Sequence, residues 1–160
     1  MKNAFANSNL HSRKHSHSQT AVKFQKLVVF GMGNINLALP SDAVFKVTNQ
    51  VPVYGSGFNG VGLAHFGDRQ ITIVELHRRF FTAKGKYLII VENKVGELYG
   101  IPVASVPTLI DVPLSRIQVL PDSYRHADLL AIATHVCHIP QAETSLTVFL
   151  LDVDQLLPSS

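Results

Sequence analysis

The apolar residues of this chain come in short runs, and each run soon meets Gly, Pro, Asn or Asp. Valine and isoleucine dominate the runs. β-Branched side chains are stiff in a helix and pack well on a pleated surface. No apolar pattern of helical period persists for three full turns anywhere along the 160 residues. One of the longest runs, Leu146-Thr147-Val148-Phe149-Leu150-Leu151, already contains a threonine and falls far short of the ~18 apolar residues of a membrane span. Short strands at this spacing predict an all-β protein, a barrel or a sandwich.

The runs place the strands. Leu27–Phe30 and Ile35–Leu39 flank Gly31-Met32-Gly33-Asn34 and predict a hairpin. Ser41-Asp42 offers an N-cap for one helical turn carrying Ala43 and Val44. Strands follow over Lys46–Pro52, Gly62–Phe66 and Gln70–Val74, with Pro52 confining its segment to an edge or a strand end. Glu75–Phe81 is more helical in character. Lys86–Glu92 and Glu97–Val103 flank Asn93-Lys94-Val95-Gly96, a second hairpin. Val106–Ile110, Arg116–Leu120, Leu129–Cys137 and Leu146–Leu151 complete the pattern, with a turn at Pro121-Asp122-Ser123. Asp152 is placed to cap a last turn running to Leu157.

Charge divides the chain. Residues 1–26 carry five bases and no acid, whereas residues 27–160 carry nine bases against all eleven acids. The overall charge of +3 therefore belongs to the leader, and the remainder is mildly acidic. That balance argues against a nucleic-acid surface on the folded part. Residues 1–24 are rich in Ser, Asn, His and base, cannot bury enough apolar surface to offset ordering, and are expected to be a disordered tail. No apolar stretch follows the basic start, so a secretory signal is not expected. Residues 25–158 form the predicted domain. About 134 residues bury roughly two thirds of their unfolded surface, enough for independent stability. A single cysteine, Cys137, excludes an internal disulfide framework.

The candidate chemical motifs are weak. Gly55-Ser56-Gly57-Phe58-Asn59-Gly60 matches a dinucleotide fingerprint as a string, with Glu75 downstream. The fingerprint works only where a strand precedes it and a helix opens at it. Here Val61-Gly62-Leu63-Ala64-His65-Phe66-Gly67 follows, which reads as a strand. His135, Cys137 and His138 are candidate soft ligands. A tetrahedral zinc site requires a fourth, for which His126 or His77 would have to converge. Strand alternation sends His135 and Cys137 to one face and His138 to the other. Asp152 and Asp154 suit a helix cap better than a catalytic dyad. Arg78-Arg79 beside Phe80-Phe81 suits a short amphipathic turn or a partner contact. No catalytic, cofactor or metal site is expected, and binding is the predicted use.

The order of segments resembles the CheW-like domain family, the adaptor fold of bacterial chemosensory systems. After its first hairpin that family has an Ala-Leu-Pro-x-Asp-x-Val segment. This chain has Ala38-Leu39-Pro40-Ser41-Asp42-Ala43-Val44-Phe45-Lys46-Val47. The next family stretch corresponds to Gly62-Leu63-Ala64-His65-Phe66-Gly67-Asp68, then Ile71–Leu76. The second half matches through Tyr87–Val91, Gly100-Ile101-Pro102-Val103 and Phe149–Leu157. About four fifths of the chain is covered. The resemblance implies two small five-stranded β-barrel subdomains with short helical turns, roughly 25–80 and 86–158, around a shared apolar seam.

It also implies a non-catalytic, cytoplasmic adaptor without cofactor, metal, nucleic acid or membrane insertion. Its implied partners are the regulatory domain of a CheA-type histidine kinase and the cytoplasmic tip of a chemoreceptor. Carried over by position, Val44 and Lys46 face partners on the first barrel, and Leu109 lies on the second barrel's side of the seam. Gly67 stands where the family has an arginine, Asp68 where it has glycine, Thr72 where it has proline, and Lys46 where it has an acid. Arg69, two residues along a strand and roughly 7 Å from Gly67, is expected to supply the missing positive charge. Asp122–Arg125 with Ala131–Val136 is closer to adaptors of pilus-linked systems. An alternative function is a small-barrel nucleic-acid binder using the basic leader, with strongly salt-dependent affinity.

Overall fold

The computed structural model describes residues 21–49, 51–54, 61–74, 76, 85–124 and 132–156. Eleven strands are assigned among these residues: β1 Phe24–Met32, β2 Ile35–Pro40, β3 Val44–Asn49, β4 Val61–Phe66, β5 Arg69–Val74, β6 Tyr87–Glu92, β7 Leu98–Val103, β8 Thr108–Pro113, β9 Ile117–Val119, β10 Ala133–Pro140 and β11 Ser145–Leu151. Only short 3-10 turns accompany them, among them Ser41–Ala43, Leu114–Arg116 and Val153–Gln155.

The strands form two sheets. One has six strands in the order β8-β1-β2-β11-β10-β9, and the other five in the order β3-β6-β7-β5-β4. Both are built alike. Each joins two antiparallel hairpins through one parallel contact, β11 with β2 in the first and β5 with β7 in the second. The second sheet rolls up. Residues 51–54 continue beyond β3, and Tyr54 exchanges backbone hydrogen bonds of 2.6 Å with Leu63 on β4, the opposite edge. The first sheet carries six strands where the resemblance implies five: β8 and β9, with Leu114–Arg116 between them, stand at its two edges. Pro113, which has no N–H to donate, stands immediately before that interruption.

Sheet membership crosses a division at residue 80. β1 and β2 sit with β8–β11, whereas β6 and β7 sit with β3–β5. Alternation along the strands explains how one chain serves three cores. Leu27 and Val29 of β1 face the interior of the six-stranded sheet with Ala38, Val112, Cys137, Val148 and Leu150. Val28, Phe30 and Met32 face the other way. Likewise Leu88 and Ile90 of β6 lie inside the five-stranded sheet with Ala64, Ile71, Ile73 and Leu98. Ile89 and Val91 join Val28, Phe30, Leu37, Leu39, Ile101 and Leu151 in a common core between the sheets. Strands buried on both faces read as continuous apolar runs, as Tyr87–Val91 does. At Gly100 a Cβ would stand 2.8 Å from Ile73 Cδ1 and 3.0 Å from Leu88 Cδ1, so any larger residue there would have to displace these buried methyl groups.

Several boundaries move from their expected places. The first turn is Gly33-Asn34 alone, because Met32 is drawn into the common core and pairs with Ile35. Ser41 does not cap a helical turn. Pro40 precedes the 3-10 turn without a side-chain cap, and Val44 opens β3. β8 runs to Pro113 rather than stopping at Ile110: its ladder with β1 continues through Gln25–Val112 and Phe24–Pro113, Val112 is buried, and Asp111 pairs with Lys26 on β1 at 3.5 Å. The Leu129 end of the expected strand lies outside the described residues, and β10 continues instead to Pro140. Most of Glu75–Phe81 also lies outside them.

The last turn follows expectation. Asp152 precedes Val153–Gln155 and accepts a 3.0 Å hydrogen bond from the backbone N–H of Asp154. Asp154 in turn accepts from the Lys94 N–H at 3.3 Å, tying this turn to the β6–β7 hairpin of the other sheet. Replacing Asp152 with alanine is expected to lower stability by about 1 kcal/mol, the usual cost of a lost cap. Urea denaturation checks this, and an unchanged midpoint refutes the capping role.

Candidate partner-binding surface

Two hairpin turns and the start of β3 meet at one end of the five-stranded sheet. β4 and β5 are joined by Gly67-Asp68, with Phe66 paired to Arg69. Gly67 has φ +64°, a left-handed conformation that glycine adopts without cost, as two-residue hairpin turns require at their first position. Gly67 sits in the turn and Arg69 opens β5, so the two are not two residues apart along one strand as expected from the sequence.

The opposite hairpin, between β6 and β7, is held by Asn93. Its Oδ1 accepts from the N–H of Val95 at 3.0 Å and of Glu97 at 2.8 Å. That turn presents the Gly96 carbonyl to Arg69, whose Nη2 donates to it at 3.0 Å. Arg69 Nη1 lies 3.9 Å from Glu92 Oε2, in a pair exposed by nearly half on each side. Its guanidinium carbon stands 5.9 Å from the Phe45 ring centroid. Lys46 Nζ stands 5.2 Å over the Phe66 ring. The two rings touch edge to face, 6.5 Å apart at 86°.

β3 and β4 are the two edges of this sheet, so the ring contact bridges them. A bulge in β3 between Val44 and Lys46 sets Phe45 outside the regular register with β6. Bulges commonly re-aim a side chain in this way. Phe45 is consequently half exposed, while Phe66 packs partly against the sheet's inner core.

Of the five candidate residues, the structure brings Lys46 and Arg69 into this cluster. Val44 is half buried against the common core and pairs with Val91. Gly67 forms the adjoining turn. Leu109 belongs elsewhere: it lies on β8 opposite Val28, on the same face as that seam residue, and is 62% exposed. Phe45, Phe66 and the Gly96 carbonyl were not singled out by sequence reasoning. The aromatic-basic adjacency Phe45-Lys46 was the available signal, but its pairing with Phe66 and Arg69 depends on how the sheet closes.

The other motifs part company with chemistry. His135, Cys137 and His138 do not converge: Cys137 is fully buried, His138 is exposed on Thr147 at 3.1 Å, and His135 contacts the Thr134 hydroxyl at 2.8 Å. Burial raises the Cys137 thiol above its ordinary range, with Arg116 pulling modestly the other way. Iodoacetamide should therefore label native protein negligibly and take up one equivalent in denaturant, since the thiolate is the reactive form. Native labelling at the rate of a free thiol contradicts the burial. Gly55–Gly60, Glu75, His77, His126 and Arg78–Phe81 lie outside the described residues. No helix among the described residues is long and apolar enough to cross a membrane.

Comparison with known proteins adds one decisive likeness. The scaffolding protein TtCheW of Thermoanaerobacter tengcongensis superposes with a TM-score of 0.67 over 84% of this chain and 88% of that one. The chain has a CheW-like fold. Sequence identity in that match is only 19%, and no family model and no curated protein matches the chain. The fold is thus shared although most aligned residues differ.

Proposed function

We propose that this protein is a non-catalytic cytoplasmic adaptor that couples chemoreceptors to a CheA-type histidine kinase, in chemotaxis or pilus-linked motility. The reading rests on the CheW-like fold, which TtCheW, named as a scaffolding protein, shares. The carrying observation is the cluster of exposed Phe45, Lys46 and Arg69 around half-buried Phe66 on that fold. Aromatic and arginine side chains are the residue types that most often dominate the energetics of protein interfaces. Here ring contacts and the Gly96 carbonyl hold the cations in place before any partner arrives, which reduces the ordering cost of binding. Val44 supports the cluster from the seam, Gly67 shapes its turn, and Leu109 offers an apolar contact on the other sheet. The five-residue set is assigned to partner binding on these grounds, in a domain spanning residues 25–158 after a basic tail.

The test is calorimetric titration of the purified full chain with the kinase regulatory domain and, separately, the receptor tip of its own organism. Binding to at least one is expected. No heat and no complex with either at about 100 μM, a limit of about 5.5 kcal/mol in affinity, overturns the proposal.

A further inference from the structure

A second feature adjoins the aromatic cluster through Glu92. An open groove of roughly 650 Å³ runs where the two sheets meet, with Pro40, Leu114, Ile117 and Val153 among its apolar walls. Among the described residues, its lining carries the carboxylates Asp42, Glu92, Asp152 and Asp154, with Lys94 and the imidazole of His135. Asp152 and Asp154 are engaged by backbone N–H groups, and Glu92 lies 3.9 Å from Arg69. Asp42 is exposed and has no ion pair among the described residues.

The chain itself contains a complementary segment. Residues 1–20 carry Lys2, Arg13 and Lys14 with no acid. The described residues that follow them border this groove. The Lys23 carbonyl accepts a 2.9 Å hydrogen bond from the N–H of Leu114, and Leu114 and Gln25 both line the groove. Lys14 stands nine residues before Lys23, a tether of up to about 30 Å when extended.

We propose that the groove between the sheets is an intramolecular docking site for the basic leader, with Arg13 and Lys14 set against Asp42 and Glu92. Tethering supplies an effective concentration in the millimolar range, so weak contacts suffice to populate the docked state. Each exposed ion pair contributes little and is screened by salt, which makes the docking reversible and strongly ionic-strength dependent. A basic segment of a partner would compete for the same groove. The inference is independent of the adaptor reading, since it concerns contacts within one molecule.

Zero-length carbodiimide cross-linking of the full chain tests it. The products are read by mass spectrometry on an equal mixture of ¹⁴N- and ¹⁵N-labelled protein. The expected result is an amide between Lys14 or Lys2 and Asp42 or Glu92 within one isotopic copy. Its yield should fall several-fold in 1 M salt, where the screening length is about 3 Å. The Asp42→Asn variant should lose the cross-link at position 42 while unfolding at the wild-type midpoint. Three results overturn the proposal: mixed-isotope cross-links, which would assign the groove to a second copy; equal cross-linking to Asp68, Asp111 and Glu143; or no cross-link to the groove carboxylates at all.

Discussion

Truncating Ile89 to alanine is expected to cost about 2–5 kcal/mol of unfolding free energy, the range for deleting a fully buried branched side chain. Ile89 is completely buried in the core common to both sheets, among Val28, Phe30, Leu37 and Ile101. Its neighbour Leu88 is equally buried but faces the interior of the five-stranded sheet. Leu88→Ala should cost a similar amount. Only Ile89→Ala should also loosen the coupling of the two sheets, seen as separate transitions by intrinsic fluorescence and circular dichroism. Urea unfolding at 25 °C provides both readings. A loss below about 0.5 kcal/mol for Ile89→Ala, the level of ordinary surface changes, would contradict the common core.

Replacing Arg69 with alanine is expected to weaken kinase or receptor binding by about 30-fold or more, the effect of a hot-spot truncation of about 2 kcal/mol. The substitution removes the Gly96 hydrogen bond, the contact over Phe45 and the charge near Glu92 together. Stability should change by less than about 1 kcal/mol, because the ion pair is exposed. Arg69→Lys keeps the charge but not the planar fork, so its affinity should fall between the two. Titration of the three proteins with the partner that wild type binds decides the matter. Equal affinities would remove Arg69 from the interface while leaving the fold untouched.

Much of the architecture is legible in residue order because its determinants are local. The hairpin at Asn93–Gly96 is visible since Asn93 and Gly96 supply the turn, and the hydrogen bonds of Asn93 bear that out. The Asp152 cap is visible for the same reason. The ends of β1, β3 and β8 are less so. Met32, Val44 and Val112 are held in their strands by residues far along the chain: the common core, Val91, and the ladder and inner core that β1 shares with β8.

The site divides along the same line. Lys46 follows from the resemblance and Arg69 from its two-residue offset from Gly67, and arginine is a residue type enriched at interfaces. Nothing in their spacing says that each stands over a phenylalanine from another strand. That arrangement exists because the edges β3 and β4 close on each other.

By itself, then, the amino-acid order determined the all-β class, most strands and turns, and the separation of a basic leader from a mildly acidic body. Backbone preference and side-chain alternation act over a few residues and can be read directly. Tertiary structure alone decided which strands share a sheet, how one strand feeds two cores, and which rings meet which cations. Those outcomes arise from pairing between residues distant in sequence, whose stabilisation depends on the surface they bury together.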